Sequence, residues 1–105
     1  MSGLVTNMSQ YRELLLDLVN LGDEPLAIDT ETTGLRPWLD TVLRGVCLAY
    51  RDKSWYVPLT HPQSVNMPAG PLAEALSQTW ATPFVFHNRN YDAAILERGL
   101  ALEPR

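Results

Sequence analysis

The 105 residues are 46% apolar and only 19% charged, enough for one modest core and too apolar for a disordered chain. Twelve acids against eight bases leave a net charge of -4, which argues against holding nucleic acid mainly through a positive overall field; an enzyme that works through bound cations, however, must itself supply carboxylates. No apolar run approaches the ~18 residues of a membrane span, residues 1–10 lack the pattern of a signal peptide, and the single Cys47 excludes an internal disulfide. A soluble, cytoplasmic protein with no membrane partner is expected, with Cys47 buried in the run Val46-Cys47-Leu48-Ala49.

Tyr11, Leu14, Leu15, Leu18 and Val19 fall at helical spacing after a candidate cap at Ser9, which predicts an amphipathic helix over 9–20. Leu26-Ala27-Ile28-Asp29-Thr30-Glu31 reads as an apolar strand running into carboxylates, followed by turn chemistry from Gly34 to Pro37. Strands are predicted over 41–50 and 54–59, joined by the polar turn Arg51-Asp52-Lys53, so that the first three strands form an antiparallel meander. A proline-rich loop over 61–71 ends with Pro71 in the first position of a second helix, carried by Leu72, Ala75, Leu76 and Thr79. A short strand over 83–86 and a third helix over 91–98, stopped by Gly99, complete the chain. A helix between the third and fourth predicted strands permits a crossover, so the fourth strand is expected parallel to the first, on the side away from the meander.

That topology brings chemistry to one place. Ligands in open α/β sheets bind beyond the carboxyl ends of parallel strands where the connections diverge, and Asp29, Glu31 and Asp92 lie there in sequence. Residues two apart on a strand share a face, so Asp29 and Glu31 project together, roughly 7 Å apart at the backbone. Two adjacent anions need solvent or a counter-ion, and a divalent cation is the counter-ion that also does chemistry. Asn88 and Asp92 admit a plain reading as the cap and the first-turn acid of the third helix. The functional reading is that all three carboxylates converge within reach of a common divalent-ion site.

Ile28-Asp29-Thr30-Glu31-Thr32-Thr33-Gly34-Leu35 resembles the first motif of the DEDD exonucleases, and Asn88-Arg89-Asn90-Tyr91-Asp92 resembles their second. Between them, Gly45-Val46-Cys47-Leu48-Ala49-Tyr50 and Trp55-Tyr56-Val57-Pro58-Leu59-Thr60-His61 are similar to the second and third strands of the proofreading exonuclease domain of bacterial DNA polymerase I. The resemblance runs from about Leu26 to Glu103. It implies a ribonuclease-H-like α/β domain: a mixed sheet, built of an antiparallel three-strand meander plus a fourth strand parallel to the first, with flanking helices. Residues 1–105 would be the N-terminal part of a single domain, with motif one at 28–35 and motif two at 88–92, truncated before the end of the fold. It implies further that Asp29, Glu31 and Asp92 are catalytic ligands of two divalent cations, magnesium with manganese substituting, for two-metal phosphodiester hydrolysis. Thr30, Thr32, Leu35, Asn88 and Tyr91 would bind the 3′-terminal nucleotide, with Leu35 wedged against the terminal bases.

The family's third motif, a Tyr or His followed four residues later by Asp, has no match after Asp92, where only Glu97 and Glu103 remain. Catalysis by this chain alone is therefore expected to be incomplete. The expected activity is removal of nucleotides from the 3′ end of single-stranded DNA, as the proofreading part of a polymerase whose other domain lies in cis or in trans. Two alternatives stand beside it: an RNA 3′→5′ exonuclease similar to ribonuclease D, and a catalytically silent module that binds nucleic acid or protein. His61 and His87 lack a third ligand at metal spacing and read as loop or capping residues, Trp38, Trp55, Tyr56 and Trp80 read as core or edge aromatics, and Arg89 is the fair candidate for a phosphate contact.

Overall fold

The computed structural model describes residues 2–33, 42–62, 64–78, 82–86 and 89–100. In chain order they form strand β1 (Ser2–Leu4), helix α1 (Met8–Val19), strands β2 (Leu26–Thr32), β3 (Leu43–Tyr50) and β4 (Lys53–Pro58), helix α2 (Ala69–Ser77), strand β5 (Phe84–Phe86) and helix α3 (Arg89–Leu100). The five strands make one sheet in the order β1-β4-β3-β2-β5. The expected meander is β2-β3-β4, antiparallel throughout, with Ile28 opposite Leu48 and Leu48 opposite Trp55. β5 lies parallel to β2 on the far side, pairing Leu26 with Phe84 and Ile28 with Phe86, as the crossover through α2 requires. The class is therefore mixed α/β, with the ribonuclease-H-like strand arrangement.

One strand escaped the sequence reading. β1 has three residues and no alternation, and it exists because its backbone adds in parallel to β4, Gly3 beside Trp55. Three boundaries also move for identifiable reasons. Helix α1 is capped by Asn7, not Ser9: the Asn7 side chain accepts from the Gln10 amide at 2.9 Å, satisfying a donor that has no partner inside the helix. Helix α2 begins two residues before Pro71, which costs nothing because the first turn has no intrahelical use for that N–H. Gly99 does not stop α3, which runs on to bury Leu100; that apolar burial outweighs the ~1 kcal/mol a helical glycine costs. Thr79 lies outside the described residues.

The sheet divides its side chains sharply. Leu26, Ile28, Val46, Leu48, Tyr50, Trp55 and Val57 are buried with Tyr11, Leu14 and Leu18 of α1, Leu72, Ala75 and Leu76 of α2, and Ile95 and Leu96 of α3 in one core. All three helices thus serve a single face. Tyr11 fastens two of them: its hydroxyl donates to the Pro68 carbonyl at 2.5 Å and accepts from the Leu72 amide at 3.1 Å, standing in for the first hydrogen bond of α2. Burial pushes that phenol up to about 12. At the far end of α1, Asp17 accepts from Tyr50 at 2.8 Å and Lys53 at 2.9 Å, clamping the helix to the β3–β4 hairpin. Arg51, at a left-handed φ of 54° in that turn, pairs with Glu24 at 2.8 Å.

Candidate functional site

Alternation along β2 decides where the carboxylates go. Leu26, Ile28, Thr30 and Thr32 turn toward the helices, whereas Ala27, Asp29 and Glu31 are exposed on the opposite face. Across the ladders, Asp29 stands opposite Cys47 and Cys47 opposite Tyr56, while Glu31 stands opposite Gly45 and Gly45 opposite Pro58. Asp29, Glu31, Cys47 and Tyr56 are therefore neighbours on one surface. Their fields register on one another: burial first, then the charges of Asp29 and Glu31, raise the Cys47 thiol. Burial, then Glu31 and Cys47, push the Tyr56 phenol up to about 12. Cys47 is half-buried rather than buried, because it faces the carboxylates instead of the core.

Asp92 is placed differently. It lies in the first turn of α3, is 2% exposed, and accepts a 2.6 Å hydrogen bond from the Thr30 hydroxyl. Further along the same side of the strand, the Thr32 and Tyr91 hydroxyls are hydrogen-bonded to each other. The second motif is thus delivered to the first, but through Thr30 and Thr32, on the face of β2 opposite to Asp29 and Glu31. No group of three or more His, Cys, Asp or Glu side chains among the described residues is set to hold a metal ion. Asp29 and Glu31 fit a hard divalent cation as a donor set: they are anionic oxygens, on one face, open to solvent for the remaining positions. Asp92 does not share their face. Leu35, His87 and Asn88 lie outside the described residues, as does the Arg89 side chain.

Sequence reasoning gave His61 a loop or capping role and Tyr56 a core or edge role, and did not bring the two together. The Tyr56 hydroxyl is hydrogen-bonded to His61 Nε2, and the two rings meet edge-on with centroids 5.5 Å apart. Gly45 makes this possible: a β-carbon there would collide with the Tyr56 hydroxyl and would stand 2.8 Å from the Val57 carbonyl oxygen. The legible signal was that glycine in the middle of a strand, which marks close approach of another group. Trp55, by contrast, is a core residue as expected. Arg44 is occupied, donating from Nη1 to the Thr60 carbonyl at 2.8 Å.

The five-stranded mixed sheet and its helices define a mixed α/β, ribonuclease-H-like fold. Among solved structures, the EXO domain of Nibbler from Aedes aegypti superimposes with a TM-score of 0.74 over 99% of this chain, at 13% identity. The chain spans 48% of that neighbour's length. No protein-family model and no curated protein sequence matches the chain. Among the described residues, no helix is long and apolar enough to cross a membrane.

Proposed function

We propose that this chain is part of a divalent-metal-dependent 3′→5′ exonuclease acting on the 3′ end of single-stranded DNA, in association with a polymerase that it proofreads. The observation that carries the reading is the placement of Asp29 and Glu31 side by side on an exposed sheet face, in a fold shared with an exonuclease domain. Asp29 and Glu31 would hold the cation, magnesium by preference for all-oxygen ligands and manganese in substitution. When bound, the ion supplies Lewis acidity to a phosphodiester. Glu31 orients the attacking water. Thr30 and Thr32 hold Asp92 and Tyr91 at the strand end, on the helix side of β2. Leu35 and Asn88 engage the terminal nucleotide. The engagement of Asp92 with Thr30 favours a second reading, a module that binds an oligonucleotide end without cutting it.

The two readings part in one experiment. Single-stranded DNA and RNA oligonucleotides, labelled at the 3′ end for cleavage and at the 5′ end for binding, are offered with magnesium, with manganese and with chelator. Chelator-sensitive binding that Asp29→Ala abolishes is expected, with DNA preferred over RNA and little trimming by the 105 residues alone. Strong trimming would show that a fourth carboxylate is not needed or comes from a second copy. Failure to bind either nucleic acid under any ionic condition would defeat both readings.

A further inference from the structure

Two anions make a poor reception for a polyanionic substrate, because Asp29 and Glu31 offer only acceptors to phosphate oxygens. A neutral donor beside them changes that. Tyr56 projects on their face, and its ring leans across Gly45, the residue directly opposite Glu31 in the β2–β3 ladder. Opposed residues of an antiparallel pair lie ~4.5–5.5 Å apart at Cα, so the hydroxyl stands about one strand spacing from Glu31. It is also held. His61 Nε2 meets it, and His61 is itself fixed at both backbone groups by Asn66, whose Oδ1 accepts from the His61 amide at 2.8 Å and whose Nδ2 donates to the His61 carbonyl at 2.8 Å. The preceding residue is anchored as well: the Thr60 hydroxyl donates to the Leu43 carbonyl at 2.6 Å, and the Thr60 amide to the Arg44 carbonyl at 3.0 Å.

We infer that Tyr56 is a phosphate-binding residue of this site, donating its hydroxyl proton to a non-bridging oxygen at the 3′ end of the oligonucleotide, and that His61 is the positioning residue that aims it. The hydroxyl has one proton. When His61 donates from Nε2, Tyr56 accepts through its oxygen and its own proton is free to face an incoming anion; the anion selects that tautomer. Gly45 is the third member, since any side chain there would push the phenol away from Glu31. The inference rests on the exonuclease reading and adds to it the group that accepts substrate beside the carboxylates.

The test uses the 105-residue chain, a 5′-labelled single-stranded DNA oligonucleotide followed by anisotropy in magnesium, and manganese binding followed by electron paramagnetic resonance. Tyr56→Phe is expected to weaken oligonucleotide binding by roughly tenfold, the value of one hydrogen bond to a charged group. It should leave the manganese affinity and the thermal unfolding midpoint unchanged. His61→Gln, which still offers a donor, should retain most of the affinity, and His61→Leu should lose it as Tyr56→Phe does. Equal oligonucleotide binding by Tyr56→Phe and the parent would overturn the inference and leave the exonuclease reading standing. Parallel loss of manganese and oligonucleotide in Tyr56→Phe would also overturn it, assigning the pair to scaffolding. A parent chain that binds manganese and no oligonucleotide would overturn both.

Discussion

Leu26, Ile28 and Thr30 alternate with Ala27, Asp29 and Glu31 along a single strand, yet the two sets live under different physics. The first set faces three helices, and each of its apolar members is buried in a continuous core. The second set faces solvent together with Ala49, Ser54 and Val85, and carries the carboxylates, the half-buried thiol and the Tyr56–His61 pair. Polar chemistry concentrates where burial is least demanding. An anion on the helix side must find a donor, as Asp92 does at Thr30; an anion on the open side keeps its water until a cation or substrate replaces it.

The sharpest way to break this contrast is to remove the same kind of bulk from each face. Leu48→Ala, on the helix side, is expected to cost ~2–5 kcal/mol in denaturant unfolding, because the cavity lies in close-packed core. Val85 is 52% exposed on the other face, and Val85→Ala should stay within about 0.5 kcal/mol. Equal losses would show that the second face is as tightly packed as the first.

A smaller effect separates two glycines. Gly45→Ala must displace both the Tyr56 phenol and the β4 backbone at Val57, so a loss of ~1–3 kcal/mol is expected, together with weakened oligonucleotide binding. Gly70 lies in α2, where an added β-carbon would meet nothing within 4 Å, and Gly70→Ala should stabilise by ~0.4–1 kcal/mol through the unfolded chain and helix propensity. Thermal unfolding of the two variants would sharpen the comparison by the sign of the change, which a general intolerance of glycine replacement would make the same.

The smallest effect is electrostatic and belongs to the rim of the helix face. Burial pushes the Asp17 carboxyl up, but hydrogen bonds from Lys53 and Tyr50 and the charges of Lys53 and Arg51 outweigh it, and the group ends below its ordinary value. A depressed carboxyl contributes stability that is present above its unfolded pKa and disappears as pH falls through the folded one. Acidification below about pH 4 should therefore loosen the clamp between α1 and the β3–β4 hairpin. Asp17→Asn should flatten that part of the stability profile while leaving the divalent-ion requirement of the other face untouched. An unchanged acid limb in the variant would remove Asp17 from the account.

Much of this was legible before any fold was drawn. Apolar runs bounded by turn chemistry located β2, β3 and β4 to within two residues, since both signals are carried by a few neighbouring residues. The parallel placement of β5 followed from the length of the crossover. Asp29 and Glu31 sharing a face was equally a local fact, fixed by the two-residue repeat. β1 was not legible, because a three-residue edge strand is defined by its partner and not by its own pattern. The Asn7 cap went to the residue whose side chain meets the Gln10 amide, a matter of helix entry geometry that Ser9 satisfied equally well on paper.

What the sequence determined by itself is the alternation of faces, the order of the elements and the pairing of Asp29 with Glu31, all consequences of backbone periodicities that act over a few residues. Only the tertiary structure decided that Asp92 meets the strand through Thr30, that Tyr56 leans over Gly45 toward Glu31, and that His61 holds it there. Those contacts depend on which face a helix covers and on how far a ring reaches across neighbouring strands. Such distances arise when separate elements pack, and no local repeat encodes them.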